Sequence, residues 1–94
     1  MKHYIITKFK EDCDWKAMVP QIRELFEGLI GIPGIHGVEV KPCCVDRTNR
    51  YHVMIEIDMD PEALTAYDAS EPHKLWKQNY GDLMDKKTIF DSET

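Results

Sequence analysis

The stretch Tyr51-His52-Val53-Met54-Ile55-Glu56-Ile57-Asp58-Met59-Asp60-Pro61-Glu62 decides how this chain is organised. Val53, Ile55, Ile57 and Met59 alternate with His52, Met54, Glu56 and Asp58. A period of two with β-branched residues predicts a strand over 51–59, apolar on one face and mixed on the other. It runs directly into Asp60-Pro61-Glu62, which has the chemistry of a helix start. Aspartate suits the cap, and proline suits the first helical position because its missing N–H would have no partner there.

Upstream, Pro42 to Arg50 is a polar connection, and Asp46-Arg47-Thr48-Asn49 suits a hairpin turn. Residues 35–41 before it read as a second strand, with Val38 and Val40 opposite Glu39 and Lys41. Ile32-Pro33-Gly34-Ile35 is a turn. Before that turn, Trp15, Met18, Val19, Ile22, Leu25, Phe26 and Leu29 recur at three- and four-residue spacing. This predicts an amphipathic helix capped by Asp14 and ended by Gly28 and Gly31. Pro20 lies within the pattern, so the helix starts late or kinks. Residues 3–10 alternate again, with His3, Ile5, Thr7 and Phe9 on one face and Tyr4, Ile6, Lys8 and Lys10 on the other.

Downstream, Ala63, Leu64, Ala66 and Tyr67 extend the helix begun at Asp60. Pro72 breaks it or opens another, with Ser70 or Glu71 near the new start. Leu75, Trp76, Tyr80 and Leu83 continue a helical stripe in which Gly81 is the weak point. Residues 86–91 form a last strand. The order is β-α-β-β-α-β in a single domain spanning 1–94. That order is the split βαβ, ferredoxin-like α+β arrangement: a four-stranded antiparallel sheet with helices on one face. The other face would carry Tyr4, Ile6, Met54 and Glu56, too apolar for open water and too charged for a core. A second copy of the chain is the economical cover.

Ninety-four residues with 43% hydrophobic content describe one globular domain rather than a disordered tail. Seventeen acidic against twelve basic residues leave a net charge of −5, which argues against a nucleic-acid binder. No window approaches the ~20 apolar residues of a membrane span, and the N-terminal apolar stretch is too short for a signal-peptide core. A soluble cytoplasmic protein is the expectation. Three cysteines, Cys13 and the adjacent Cys43 and Cys44, make neither a disulfide scaffold nor a zinc spacing. The thiols of Cys43 and Cys44 read as small residues at a strand end, with redox or soft-metal chemistry as the competing role. His36 and His52 match no metal-ligand spacing, and Asp58, Asp60 and Glu62 read as a helix-capping cluster. No metal and no cofactor is expected.

The cadence Lys2-His3…Ile5-Ile6…Lys8-Phe9-Lys10, then Ile32-Pro33-Gly34-Ile35, Ala66-Tyr67, Pro72-His73 and Ile89-Phe90-Asp91, resembles the stress-responsive α/β barrel (Dabb) family across nearly the whole chain. The resemblance implies a homodimer in which two four-stranded sheets face each other as a dimeric α+β barrel, with the helices outside. Many members of that family are stress-associated proteins, and a plant member is a polyketide cyclase. That cyclase is similar to this chain in having a histidine on the first strand and another after the proline. This chain departs from the family at Ser70-Glu71-Pro72-His73, which lacks the first histidine of a common His-Pro-x-His segment. It also departs at Leu25, where the cyclase is aromatic.

His3, Tyr67 and His73 are therefore the candidate catalytic residues. They would sit at one end of a pocket lined by Ile5, Thr7, Ile22, Leu25, Phe26, Ile55, Trp76 and Ile89. An apolar cavity with a few convergent polar groups is the usual form of a small-molecule site. A neutral imidazole can take a proton from carbon beside a carbonyl, and Tyr67 can donate to the forming enolate oxygen. Each residue also has a structural role open to it: a strand cap for His3, helix–sheet packing for Tyr67 and a helix start for His73. Three functions follow. The first is a homodimeric protein that binds a small, largely apolar metabolite between sheet and helices. The second is a cofactor-independent enzyme, either an aldol-type polyketide cyclase or a heme-free monooxygenase, using His3 and His73 as acid and base. The third is a structural or regulatory association module.

Overall fold

The computed structural model describes residues 1–94. Strand β1 (Lys2–Phe9) leads into helix α1 (Trp15–Glu27), followed by β2 (Ile35–Pro42) and β3 (Val53–Met59). Helices α2 (Leu64–Asp68) and α3 (Glu71–Tyr80) then precede β4 (Met84–Ser92). The sheet order is β2-β3-β1-β4, and every neighbouring pair is antiparallel. β3 therefore separates the parallel pair β1 and β2, and β1 separates the parallel pair β3 and β4. This is the ferredoxin-like topology expected from the sequence order.

The local chemistry explains most boundaries. Asp14 caps α1 by accepting the Ala17 N–H at 3.4 Å, and Gly28 terminates it. Pro20 neither delays nor stops the helix, which runs through it; Pro20 lies on an exposed position, so the carbonyl it leaves unbonded faces water. The turn Ile32–Ile35 closes with an Ile35 N–H to Ile32 carbonyl bond at 3.0 Å, and Gly34 takes φ +90°. Proline at the second turn position and glycine at the third are what a left-handed third residue requires.

Three expectations are corrected. Residues after Asp60 form a single tight turn at Pro61–Ala63 before α2, and the Asp60 side chain does not cap it. Its carboxylate instead accepts from His36 Nε2 at 2.9 Å, tying β2 to the end of β3. The last helix does not reach Leu83: it ends at Tyr80, and Gly81–Leu83 form a short 3₁₀ turn. Gly81 thus lies at the helix end, where glycine is common, rather than within it. Helix and strand boundaries elsewhere agree to within about two residues, the scatter normal for frayed element ends.

Strands β1 and β3 bury alternate residues. His3, Ile5, Thr7 and Phe9 are buried with Val53, Ile55, Ile57 and Met59, under Val19, Ile22, Phe26 and Leu29 from α1 and Tyr67, Trp76 and Tyr80 from the later helices. Phe26 meets Trp76 edge-on, ring centres 5.2 Å apart. No helix covers the opposite sheet face; only the connection between β2 and β3 reaches it, where the Tyr51 hydroxyl meets Thr88 Oγ1 at 3.2 Å and Lys8 donates to the Thr48 carbonyl. There Tyr4 lies beside Phe90, 6.2 Å between rings, and Phe90 is 59% exposed. Charged pairs border them: Lys2 with Asp58 at 3.4 Å, and Lys41 with Glu39 at 3.3 Å. No helix is long and apolar enough to cross a membrane.

Candidate functional site

β4 is an edge strand, and the helices do not fully cover its inner face. That face reads Lys87, Ile89, Asp91, which pair across to Thr7, Ile5 and His3 of β1. Between this edge and α3 lies an open pocket of about 540 Å³ lined by side chains from β1, α2, α3 and β4. Ile89 stands in it 46% exposed, as an apolar wall without a helix above it.

His3 reaches the pocket because β1 alternates inward at odd positions. Its ring Nδ1–H donates to Asp91 Oδ1 at 2.5 Å, since the two residues are cross-strand partners on one face. Tyr67 follows from the helix break. Ser70 caps α3, accepting the His73 N–H at 3.3 Å while its hydroxyl donates to the Tyr67 carbonyl at 2.6 Å. This clamp holds the end of α2 against the first turn of α3. His73 then donates from Nδ1 to the Asp68 carbonyl at 2.9 Å. The three rings form a row, with Tyr67 at 5.3 Å from His3 and 4.7 Å from His73, centre to centre.

A carbonyl oxygen, like a carboxylate oxygen, can only accept. Both histidines therefore carry the proton on Nδ1, and in the neutral ring Nε2 is left with a lone pair. Neither Nε2 has a hydrogen-bond partner in the chain, and neither does the Tyr67 hydroxyl. Tyr67 is 2% exposed, and burial first, then the charge of Asp68, pushes its hydroxyl well above the usual phenol range. It stays a donor at any ordinary pH. The arrangement offers two bases and one neutral hydrogen-bond donor to whatever enters the pocket.

Of the pocket residues singled out in the sequence, Ile5, Trp76 and Ile89 lie on its wall. Thr7, Ile22, Phe26 and Ile55 are sealed in the core, because the helices close over the sheet at β1 and β3. Leu25 is half-buried on α1, outside the wall. Sequence reasoning missed Asp68, Lys77 and Lys87, and it quoted Asp91 without a role. Only the β1–β4 register reveals that Asp91 faces His3. The expected apolar lining is also corrected: four of the eleven wall residues are Asp68, Lys77, Lys87 and Asp91, since the edge strand brings polar residues to the rim.

The other histidines are committed elsewhere. His52 stacks on Trp15, ring centres 4.8 Å apart, and its Nδ1 accepts the Phe9 N–H at 3.0 Å. It borders an open groove of about 710 Å³ at the far end of β1, walled mostly by charged and polar residues. His36 is held by Asp60. Cys13, Cys43 and Cys44 are free thiols. No cluster of three or more histidine, cysteine or acidic side chains is placed to hold a metal ion.

The fold and pocket define a ferredoxin-like α+β protein with a side-on small cavity. No family model and no curated relative matches the chain. Solved structures do match. A Bacteroides fragilis protein described as dimeric, of unknown function and ferredoxin-like, is 15% identical with TM-score 0.79, covering 99% of this chain and 94% of that one. A DABB family protein from Mesorhizobium loti is 15% identical with TM-score 0.74, covering 99% and 94%. A hydroxynitrile lyase from Passiflora edulis is 16% identical with TM-score 0.72, covering 99% and 94%. The chain therefore has a Dabb-like, ferredoxin-like fold.

Proposed function

We propose that this protein is a cofactor-independent enzyme that moves a proton at carbon beside a carbonyl, acting as a homodimer. The observation that carries this reading is the row His3–Tyr67–His73, with both Nδ1 protons tied to acceptors and both Nε2 atoms unpartnered. His3 or His73 takes the proton through Nε2, and Asp91 supports the imidazolium that forms on His3. Tyr67 donates to the oxygen on which enolate charge develops. The imidazolium so formed returns a proton through the same Nε2, after exchange with solvent where deuterium is taken up. An intramolecular aldol closure is one outcome of such an enolate. That one neighbour of the same fold is described as a hydroxynitrile lyase supports an enzymatic use of the architecture.

Self-association rests on the sheet face that no helix covers. Tyr4, Ile6, Met54 and the 59% exposed Phe90 form an apolar strip there that a second copy can cover. The description of the Bacteroides neighbour as dimeric supports the same use of the fold.

The test of the chemistry is deuterium uptake at the methyl group of acetophenone and its ring-substituted relatives in D₂O. The protein is expected to accelerate uptake, and His3→Gln or His73→Gln to reduce it by ~10²-fold or more, the scale of a positioned general base. Uptake no faster than that given by the same concentration of free imidazole overturns the reading.

A further inference from the structure

Lys77 and Lys87 face the same pocket from opposite walls. Lys77 lies one helical turn beyond His73 on α3, and Lys87 lies four residues before Asp91 on the same face of β4. Neither takes part in an ion pair within the chain. The acidic wall residues are at the other end: Asp91 is held by His3, and Asp68 adjoins Tyr67. The pocket is therefore polarised along the strand. Proton-handling groups occupy one end, Ile5, Ile89 and Trp76 the middle, and two unpaired ammonium groups the other. Four residues of extended strand put the Asp91 and Lys87 backbones about 13 Å apart.

Resting on the reading of the site given above, we propose that the substrate carries a carboxylate remote from its reacting carbon. The acidic C–H and carbonyl lie between His3, Tyr67 and His73. An apolar or aromatic segment lies against Ile89 and Trp76. The carboxylate lies between Lys77 and Lys87. Two point charges on flexible stems suit one carboxylate whose position varies by an ångström or two with the length of the spacer. A lone lysine on this open rim would be screened by salt; two facing the same pocket reinforce one another.

The test compares 4-acetylbenzoate with 4-acetylbenzamide, which share a ring and an acetyl group and differ in charge. Binding is followed by amide chemical shifts of Tyr67, Trp76 and Ile89. The acid is expected to bind at least tenfold more tightly than the amide. In the Lys77→Gln/Lys87→Gln double variant that preference is expected to fall to within twofold. Both lysines are exposed, so folding is preserved. Equal affinity for the two probes, a preference that survives in the double variant, or no shift at the pocket with either probe overturns the proposal. Selective binding of the acid without deuterium uptake would instead remove the proton-transfer reading and leave the carboxylate site standing.

Discussion

His3 Nδ1 lies 2.5 Å from Asp91 Oδ1, joining the second residue of β1 to its direct partner on β4. The contact fixes which ring nitrogen holds the proton, and so which one can receive another. Asp91→Asn keeps the shape but presents an amide that can donate to Nδ1. The imidazole then turns to the Nε2–H tautomer and loses its base. Deuterium uptake is expected to drop by roughly 10²–10⁴-fold, with stability little changed. A variant with unaltered uptake would show that Asp91 merely anchors the edge strand.

Tyr67→Phe separates the proposed donor role from packing. The ring is buried between His3 and His73, but its hydroxyl bonds to nothing in the chain. The variant is expected to melt within a few degrees of the parent while losing about 10²-fold of the rate, as expected for one oxyanion donor. In a spectroscopic alkaline titration Tyr67 should ionise later than an ordinary tyrosine, and Tyr80 should also lag, since burial raises both.

His52 predicts an acid-sensitive fold. Burial, then the charge of Lys8, lowers its pKa below the usual histidine value of about 6.5. The unfolded chain therefore binds the proton first. The stabilisation is full above pH ~6.5 and is lost as pH falls through the folded-state value. Protonation also puts a second donor against the Phe9 N–H. His52→Asn keeps an uncharged acceptor at that place. The urea midpoint should fall less between pH 7.5 and 5.5 in this variant than in the parent; equal slopes would contradict the assignment.

Two glycines distinguish strain from clash. Gly31 and Gly34 both have positive φ, but a Cβ at Gly34 would stand 2.9 Å from the Ala63 Cβ, while at Gly31 nothing lies within 4 Å. Gly31→Ala is expected to cost about 1 kcal/mol from the backbone alone. Gly34→Ala adds the displacement of the Pro61–Ala63 turn and should cost about 2–3 kcal/mol. Calorimetric melting of the pair checks the order.

Phe90→Lys places a charge on the helix-free sheet face without touching the core. Sedimentation of the parent at micromolar concentration is expected to give a dimer and that of the variant a monomer. A monomeric parent would remove the self-association.

The fold was legible because its signals are periodic and local. Val53–Met59 alternates cleanly, Asp14 and Ser70 cap in the way their side chains allow, and Pro33-Gly34 makes the turn it spells. The candidate site was legible only in part. His3, Tyr67 and His73 stand out by residue type, yet Asp91, Lys77 and Lys87 come to the pocket wall only through the β1–β4 register and the uncovered edge strand. Thr7, Ile22, Phe26 and Ile55 looked equally able to line a cavity, since an apolar face does not announce where the helices stop covering it.

The central claim is that His3 and His73 hold their protons on Nδ1 and present a bare Nε2 beside Tyr67. Long-range ¹⁵N–¹H spectra of the ring nitrogens at pH 7.5 read this directly. The neutral rings of His3 and His73 are predicted in the Nδ1–H form, and His52, whose Nδ1 accepts from Phe9, in the Nε2–H form. Finding the Nε2–H tautomer at His3 and His73 would contradict the account.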